Sequence, residues 1–217
     1  REAAESSGRK LSEIYLSLGV LNGALMAGLI ACAPAATRVL YPAAYADVGW
    51  LTQILAVGAW MRAQSSVAGC ALMGFNQRTS MVVPNVVKLI AMVVLVWPSI
   101  WLSAHFGWGE VVGVVIGFSL AEFAFFVVMR IFAARIHLHT VGSDLLLTFL
   151  VFGTAVVGQF GGDAAFRLMD AGATPEGRWA WLALFVIRGV LVVVLWGAVA
   201  GLFHRMRWIR IRYEQSV

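Results

Sequence analysis

Residues 111–133 read VVGVVIGFSLAEFAFFVVMRIFA. Crossing the hydrocarbon of a bilayer takes about 20 predominantly apolar residues, at about 1.5 Å each. This run is long enough, and Glu122 and Arg130 are its charged residues. It does not alternate with a period of two, which excludes a barrel strand of about ten residues. In lipid every backbone polar group must be paired within the segment, so the run is a helix. Its central carboxylate, Glu122, then needs an explanation.

Similar runs lie on both sides. Before it stand 14–37, 51–73 and 82–104; after it stand 145–161, which is short, and 181–203. The fifth extends to Gly162 and back towards Gly142. The fold class is therefore all-α polytopic membrane protein, with six transmembrane helices. Composition agrees: 61% of residues are hydrophobic and 12% charged, where a soluble domain carries roughly 25% charged. The net charge of +5 does not mark a nucleic-acid binder, because the basic residues sit between apolar runs instead of in a patch with aromatics. Cys32 and Cys70 fall inside apolar runs and read as small buried side chains. The four histidines, His105, His137, His139 and His204, make no metal cluster, and neither metal nor cofactor is expected.

The charges orient the chain. Arg1, Arg9, Lys10, Arg78, Arg130, Arg135, Arg205, Arg207, Arg210 and Arg212 fall on one side, against Arg38, Arg167 and Arg178 on the other. The positive-inside rule places both ends in the cytoplasm, as in a cell (inner) membrane protein. The expected organisation is a cytoplasmic loop at 1–13, four helices at 14–136, two additional helices at 137–203 with an outer loop at 162–180, and a basic tail at 204–217. The opening REAAESSGRK has no apolar core and is no signal peptide; it reads as an internal loop with further chain expected before it. The tail HRMRWIRIRYEQSV reads as a stop-transfer anchor that meets anionic lipid head groups.

Small residues recur four apart at Gly19, Gly23 and Ala27, at Gly113, Gly117 and Ala121, and at Gly197 and Gly201, a pattern that lets helices approach closely in lipid. Pro98 and Pro34 each remove a helical hydrogen bond, and Pro84 sits at the start of its span. Most of the tryptophans fall near expected interfaces, as in an aromatic belt; Trp60 and Trp196 lie deeper.

Arg62, Lys88, Glu122 and Arg188 fall within spans. Each is costly in lipid and is expected to face a bundle interior or a wet cavity. Counting places Arg62 and Glu122 near the midplane, Arg188 in the outer half and Lys88 in the inner half. Arg62, Ser65, Ser66 and Gly69 share one helical face, and Asn85 and Lys88 another. One reading is a cationic cavity for an anionic substrate, with Arg62, Lys88, Asn85, Ser66 and Arg188 binding it; arginine offers phosphate a planar fork of donors. The other is an ion pair between Arg62 and Glu122 that holds the bundle, with Lys88 snorkelling to the cytoplasmic edge. Glu122 is then either a coupling site or the neutralising partner in the cavity. Asp163, Asp170 and Glu176 read as members of a solvated outer loop, and nothing points to an enzyme.

The stretch from Ala36 to Phe132 resembles the polysaccharide flippases of the multidrug/oligosaccharidyl-lipid/polysaccharide exporter superfamily. It carries a short outer turn after VLYP, the run LTQILAVGAW, and GCALMGFNQRT with Gly74, Asn76, Gln77 and Arg78 in a Gly-to-Arg loop. A helix with a late proline, Pro98, and FGWGEVVGVVIGFSLAEFAFF follow. The resemblance implies that the first four spans are the last four helices of a second six-helix lobe, and that the fifth and sixth are two extra helices. It implies translocation of a lipid-linked oligosaccharide or polysaccharide repeat unit by alternating access. The partners would be an anionic polyprenyl diphosphate-linked sugar, membrane lipids and missing N-terminal helices of the same protein. It favours Arg62 and Lys88 over Arg188 for the anionic group. The alternatives are an ion-coupled drug or metabolite exporter of the same superfamily, and a complete six-helix structural or channel protein.

Overall fold

The structure is a computed structural model. It describes residues 2–74, 79–135, 141–169 and 177–215, with side chains left undescribed at 2–16, 67, 71, 74, 79–80, 135, 141, 169, 203–204 and 206–215. The Asn76–Arg78 part of the loop motif, His137, His139, Asp170 and Glu176 lie outside the described residues, as do the side chains of His204 and of the tail from Met206 on.

Six helices follow one another: α1 (Glu2–Leu40), α2 (Val48–Gly74), α3 (Thr79–His105), α4 (Glu110–Arg135), α5 (Val141–Met169) and α6 (Gly177–Gln215). A single turn of 3-10 helix, Ala43–Tyr45, links α1 to α2. Five of them, all but α2, are long and apolar enough to cross a membrane. The chain is thus an all-α, multi-pass membrane protein. Successive helices run in opposite directions, so the bundle has a terminal end, where α1 begins and α6 finishes, and an opposite end with the turns after Leu40 and His105.

Three boundaries differ from the expected ones. α1 already begins at Glu2, so the stretch read as a loop at 1–13 is helical from its second residue. α5 is the fifth span and runs to Met169, through Asp163 and the rest of the 162–169 stretch read as part of the outer loop. Pairing with Arg188 removes the reason for Asp163 to leave the helix. α3 begins at Thr79, which puts Pro84 inside the helix instead of at its start.

The helices form two groups, α1 with α5 and α6, and α2 and α3 on α4, joined chiefly where α1 lies on α2. The first group closes over Trp60, Leu147, Val151, Val192 and Trp196. The second closes over Ala68, Leu72, Phe125 and Met129. Backbone-to-backbone approach fixes α3 on α4. A Cβ at Gly113 would lie 2.4 Å from Ile100 Cα, and one at Gly117 would lie 2.6 Å from Val96 Cα. The stripe at Gly19 and Gly23 likewise faces Leu147 and Trp196, whereas Gly197 and Gly201 have no atom of the described residues within 4 Å of a Cβ added there.

Candidate functional site

α4 presents Phe118, Glu122 and Phe125 about one turn apart, hence on one face. α2 and α3 flank this face but barely touch one another; they meet near the terminal end, where Gly69 lies against Met81. A cleft floored by Glu122 is left between them. Arg62 and Glu122 each stand at the middle of their helices, and Lys88 lies about one turn nearer the terminal end than the centre of α3.

The three charges meet. Lys88 Nζ donates to Glu122 Oε1. Arg62 Nη1 stands 3.9 Å from Glu122 Oε2, beyond hydrogen-bond reach. Oε2 is buried and has no hydrogen-bond partner. The aromatic floor carries both cations: the Arg62 guanidinium lies 4.5 Å from the Phe125 ring centre, and Lys88 Nζ lies 5.4 Å from that of Phe118. Such contacts stabilise a cation where water is scarce.

Exposure separates the roles. The Glu122 side chain is 5% exposed and that of Lys88 20%, whereas that of Arg62 is 44% exposed. Lys88 and Glu122 form a closed pair. Arg62 is held over Phe125 with donors to spare, and two cations against one carboxylate leave the cleft with a formal excess of one positive charge.

Ser66 and Asn85 are exposed, one turn from Arg62 and Lys88 respectively, each on the terminal-end side. Their side chains bond backward along their own helices, Ser66 Oγ to Arg62 O at 2.9 Å and Asn85 Nδ2 to Met81 O at 2.7 Å. Asn85 also lines a shallow depression of about 390 Å³ with Met81, Val82, Val86 and Leu89. Ser65, from the same sequence face, is fully buried and bonds to Met61 O.

Arg188 does not join this group. It donates to Asp163 Oδ1 at 2.6 Å and to Ala31 O at 3.0 Å, where α6, α5 and α1 meet. Its side chain is 5% exposed, and that of Asp163 35%. The anion in reach of Arg188 is a carboxylate of its own chain.

A second buried pair went unread in the sequence. Arg130 Nε lies 2.9 Å from Asp144 Oδ2, and its Nη2 donates to Gln64 O at 3.1 Å. Arg130, counted only among the charges of one membrane side, thus ties α4 to the first turn of α5 and to α2. The sequence signal available was Asp144, an acid at the start of a span. The aromatic pair at 118 and 125 was legible in its spacing around Glu122 and was also missed.

No protein-family model, curated protein or solved structure matches the chain.

Proposed function

We propose that the chain belongs to a transporter that flips an anionic, lipid-linked oligosaccharide or polysaccharide repeat unit across a cell membrane. Arg62 meets the anionic group in the α2–α3–α4 cleft, and the terminal end faces the cytoplasm. The observation that carries this is the 44% exposure of the Arg62 side chain at mid-helix. Left in hydrocarbon, a guanidinium there is costly, so this face is the wall of a wet or protein-lined path. The loose approach to Glu122 leaves Arg62 donors for phosphate oxygens, the geometry arginine suits best. Lys88, neutralised by Glu122, sets the charge of the cleft without exposing a second free cation.

The test is complementation. The full-length protein is expressed in a host lacking its own flippase, and surface polysaccharide is measured at matched membrane levels. Rescue by the wild type, loss in Arg62→Ala and partial recovery in Arg62→Lys support the reading. Rescue that survives Arg62→Ala overturns the role of Arg62.

One observation favours a second reading. The unbonded, buried Glu122 Oε2 is a place where a proton or cation would bind, as in an ion-coupled exporter of the same superfamily. That reading expects substrate efflux that follows an ion gradient and is abolished in Glu122→Gln.

A further inference from the structure

Pro34 lies inside α1, and a proline there removes the hydrogen bond to the carbonyl four residues earlier. That carbonyl belongs to Ile30. Gln53 of α2 supplies the missing donor, with Nε2 2.6 Å from Ile30 O. The same nitrogen lies 3.1 Å from Gln159 Oε1 of α5. Arg188 of α6 donates to the next carbonyl, Ala31 O. Thr37 bonds backward to Ala33 O at 2.9 Å, a contact that bends helices. Three neighbouring helices thus meet one weakened turn of α1.

We infer that α1 is hinged at residues 30–34, and that Gln53 of α2 and Arg188 of α6 are the two side chains that hold the hinge in the position seen here. Kinks in helices arise where proline or an inserted side chain interrupts the ladder, and both conditions hold at this turn. The holding contacts are reversible. A carbonyl that loses Gln53 leaves that amide its Gln159 partner, and Arg188 keeps Asp163 if Ala31 moves away. Arg188 Nε, buried and without a partner, is a spare donor for the rearranged state. Packing transmits the motion: a Cβ at Gly49 would lie 2.6 Å from Pro34 Cα, so the first turn of α2 rests directly on the hinge. α2 also carries Arg62, so the α5–α6 pair and the cleft are linked through one helix. The hinge rests on local geometry and holds whether or not the chain transports a saccharide.

The experiment is pulsed electron–electron distance measurement on the full-length protein in nanodiscs, without substrate. Labels are placed at Leu40 and Leu168, both exposed at the opposite end, in a background with Cys32 and Cys70 replaced by alanine. The wild type is expected to give a broad or two-component distribution. Pro34→Ala, which restores the backbone donor, is expected to collapse it to one narrow component. Gln53→Leu, which leaves Ile30 O undocked, is expected to change the ratio of components. A Pro34→Ala distribution that superposes on that of the wild type overturns the hinge. An unchanged distribution in Gln53→Leu, with Pro34→Ala effective, overturns the role of Gln53 as its holder.

Discussion

Removing one partner of the Arg130–Asp144 pair tests the packing most severely, because both side chains are buried, at 9% and 3% exposure. Unit charges at their 2.9 Å separation attract by roughly 6 kcal/mol at an effective dielectric of about 20. Breaking a buried pair by removing one member typically costs about 3–5 kcal/mol, since the other charge is left uncompensated. In Asp144→Ala the guanidinium keeps the Gln64 carbonyl and the face of Phe126, 4.9 Å away. The lower end of that range, about 3 kcal/mol, is therefore expected. Arg130→Met removes the cation and leaves Asp144 buried, and should cost at least as much. The double variant Arg130→Met/Asp144→Leu buries no charge and should recover most of the loss, as apolar replacement of buried pairs often does. Reversible unfolding in mixed micelles, followed by helical circular dichroism, measures all four corners of the cycle. Additive single losses in the double variant would falsify the claim that this pair couples α4 to α5.

Three further outcomes follow from close contacts. Gly117→Ala forces a Cβ to within 2.6 Å of Val96 Cα and should destabilise by about 1–3 kcal/mol, while Gly197→Ala, with nothing among the described residues within 4 Å, should stay within about 0.5 kcal/mol of wild type; the same unfolding assay compares them. Trp60→Phe should lose about 1 kcal/mol, because it surrenders the 3.1 Å bond from Nε1 to Thr148 Oγ1 yet keeps most of the buried ring. Asp163→Asn should destabilise by less than Asp144→Ala, because Asp163 is 35% exposed and Arg188 keeps the Ala31 carbonyl; near-equal losses in the two variants would contradict this ranking.

Hydropathy revealed the helices because long apolar runs in lipid have few alternatives to a helix. It misplaced ends where a polar residue has a distant partner. Asp163 looked like a loop residue, and Arg188, on the next helix, is the partner it meets within α5. Arg130 was placed in its helix, but its partner Asp144 lies at the start of the next one and was not read. Within the site, depth counting brought Arg62 and Glu122 to one level, since both stand mid-helix. It put Lys88 lower, in the inner half, and so offered Arg62 as the partner of Glu122, whereas Lys88 makes the closer contact. Which cation bonds the carboxylate depends on how far α2 and α3 stand apart over α4, and that is a property of packing. Nor could it show that Arg188 turns towards α1, because the carbonyl it meets there, that of Ala31, belongs to a turn weakened by Pro34.

The helix that fails the hydropathy criterion is the one that joins the bundle. α2 carries Gln53, Arg62, Gln64, Ser65 and Ser66, too polar a set to qualify beside the five apolar helices. Part of that polarity reaches neighbouring helices, while Ser65 and Ser66 bond back along α2 itself. Gln53 bonds α1 and α5, Trp60 bonds α5, and the Gln64 carbonyl accepts from α4. Polar side chains in lipid stabilise when they find partners on other helices and cost when they do not. α2 thus shares polar contacts with α1, α4 and α5. Arg62 is the exception, since its neighbours supply an aromatic face and one distant carboxylate oxygen but leave it 44% exposed. Under the proposed function, that exposed guanidinium is where an anionic ligand would come and go.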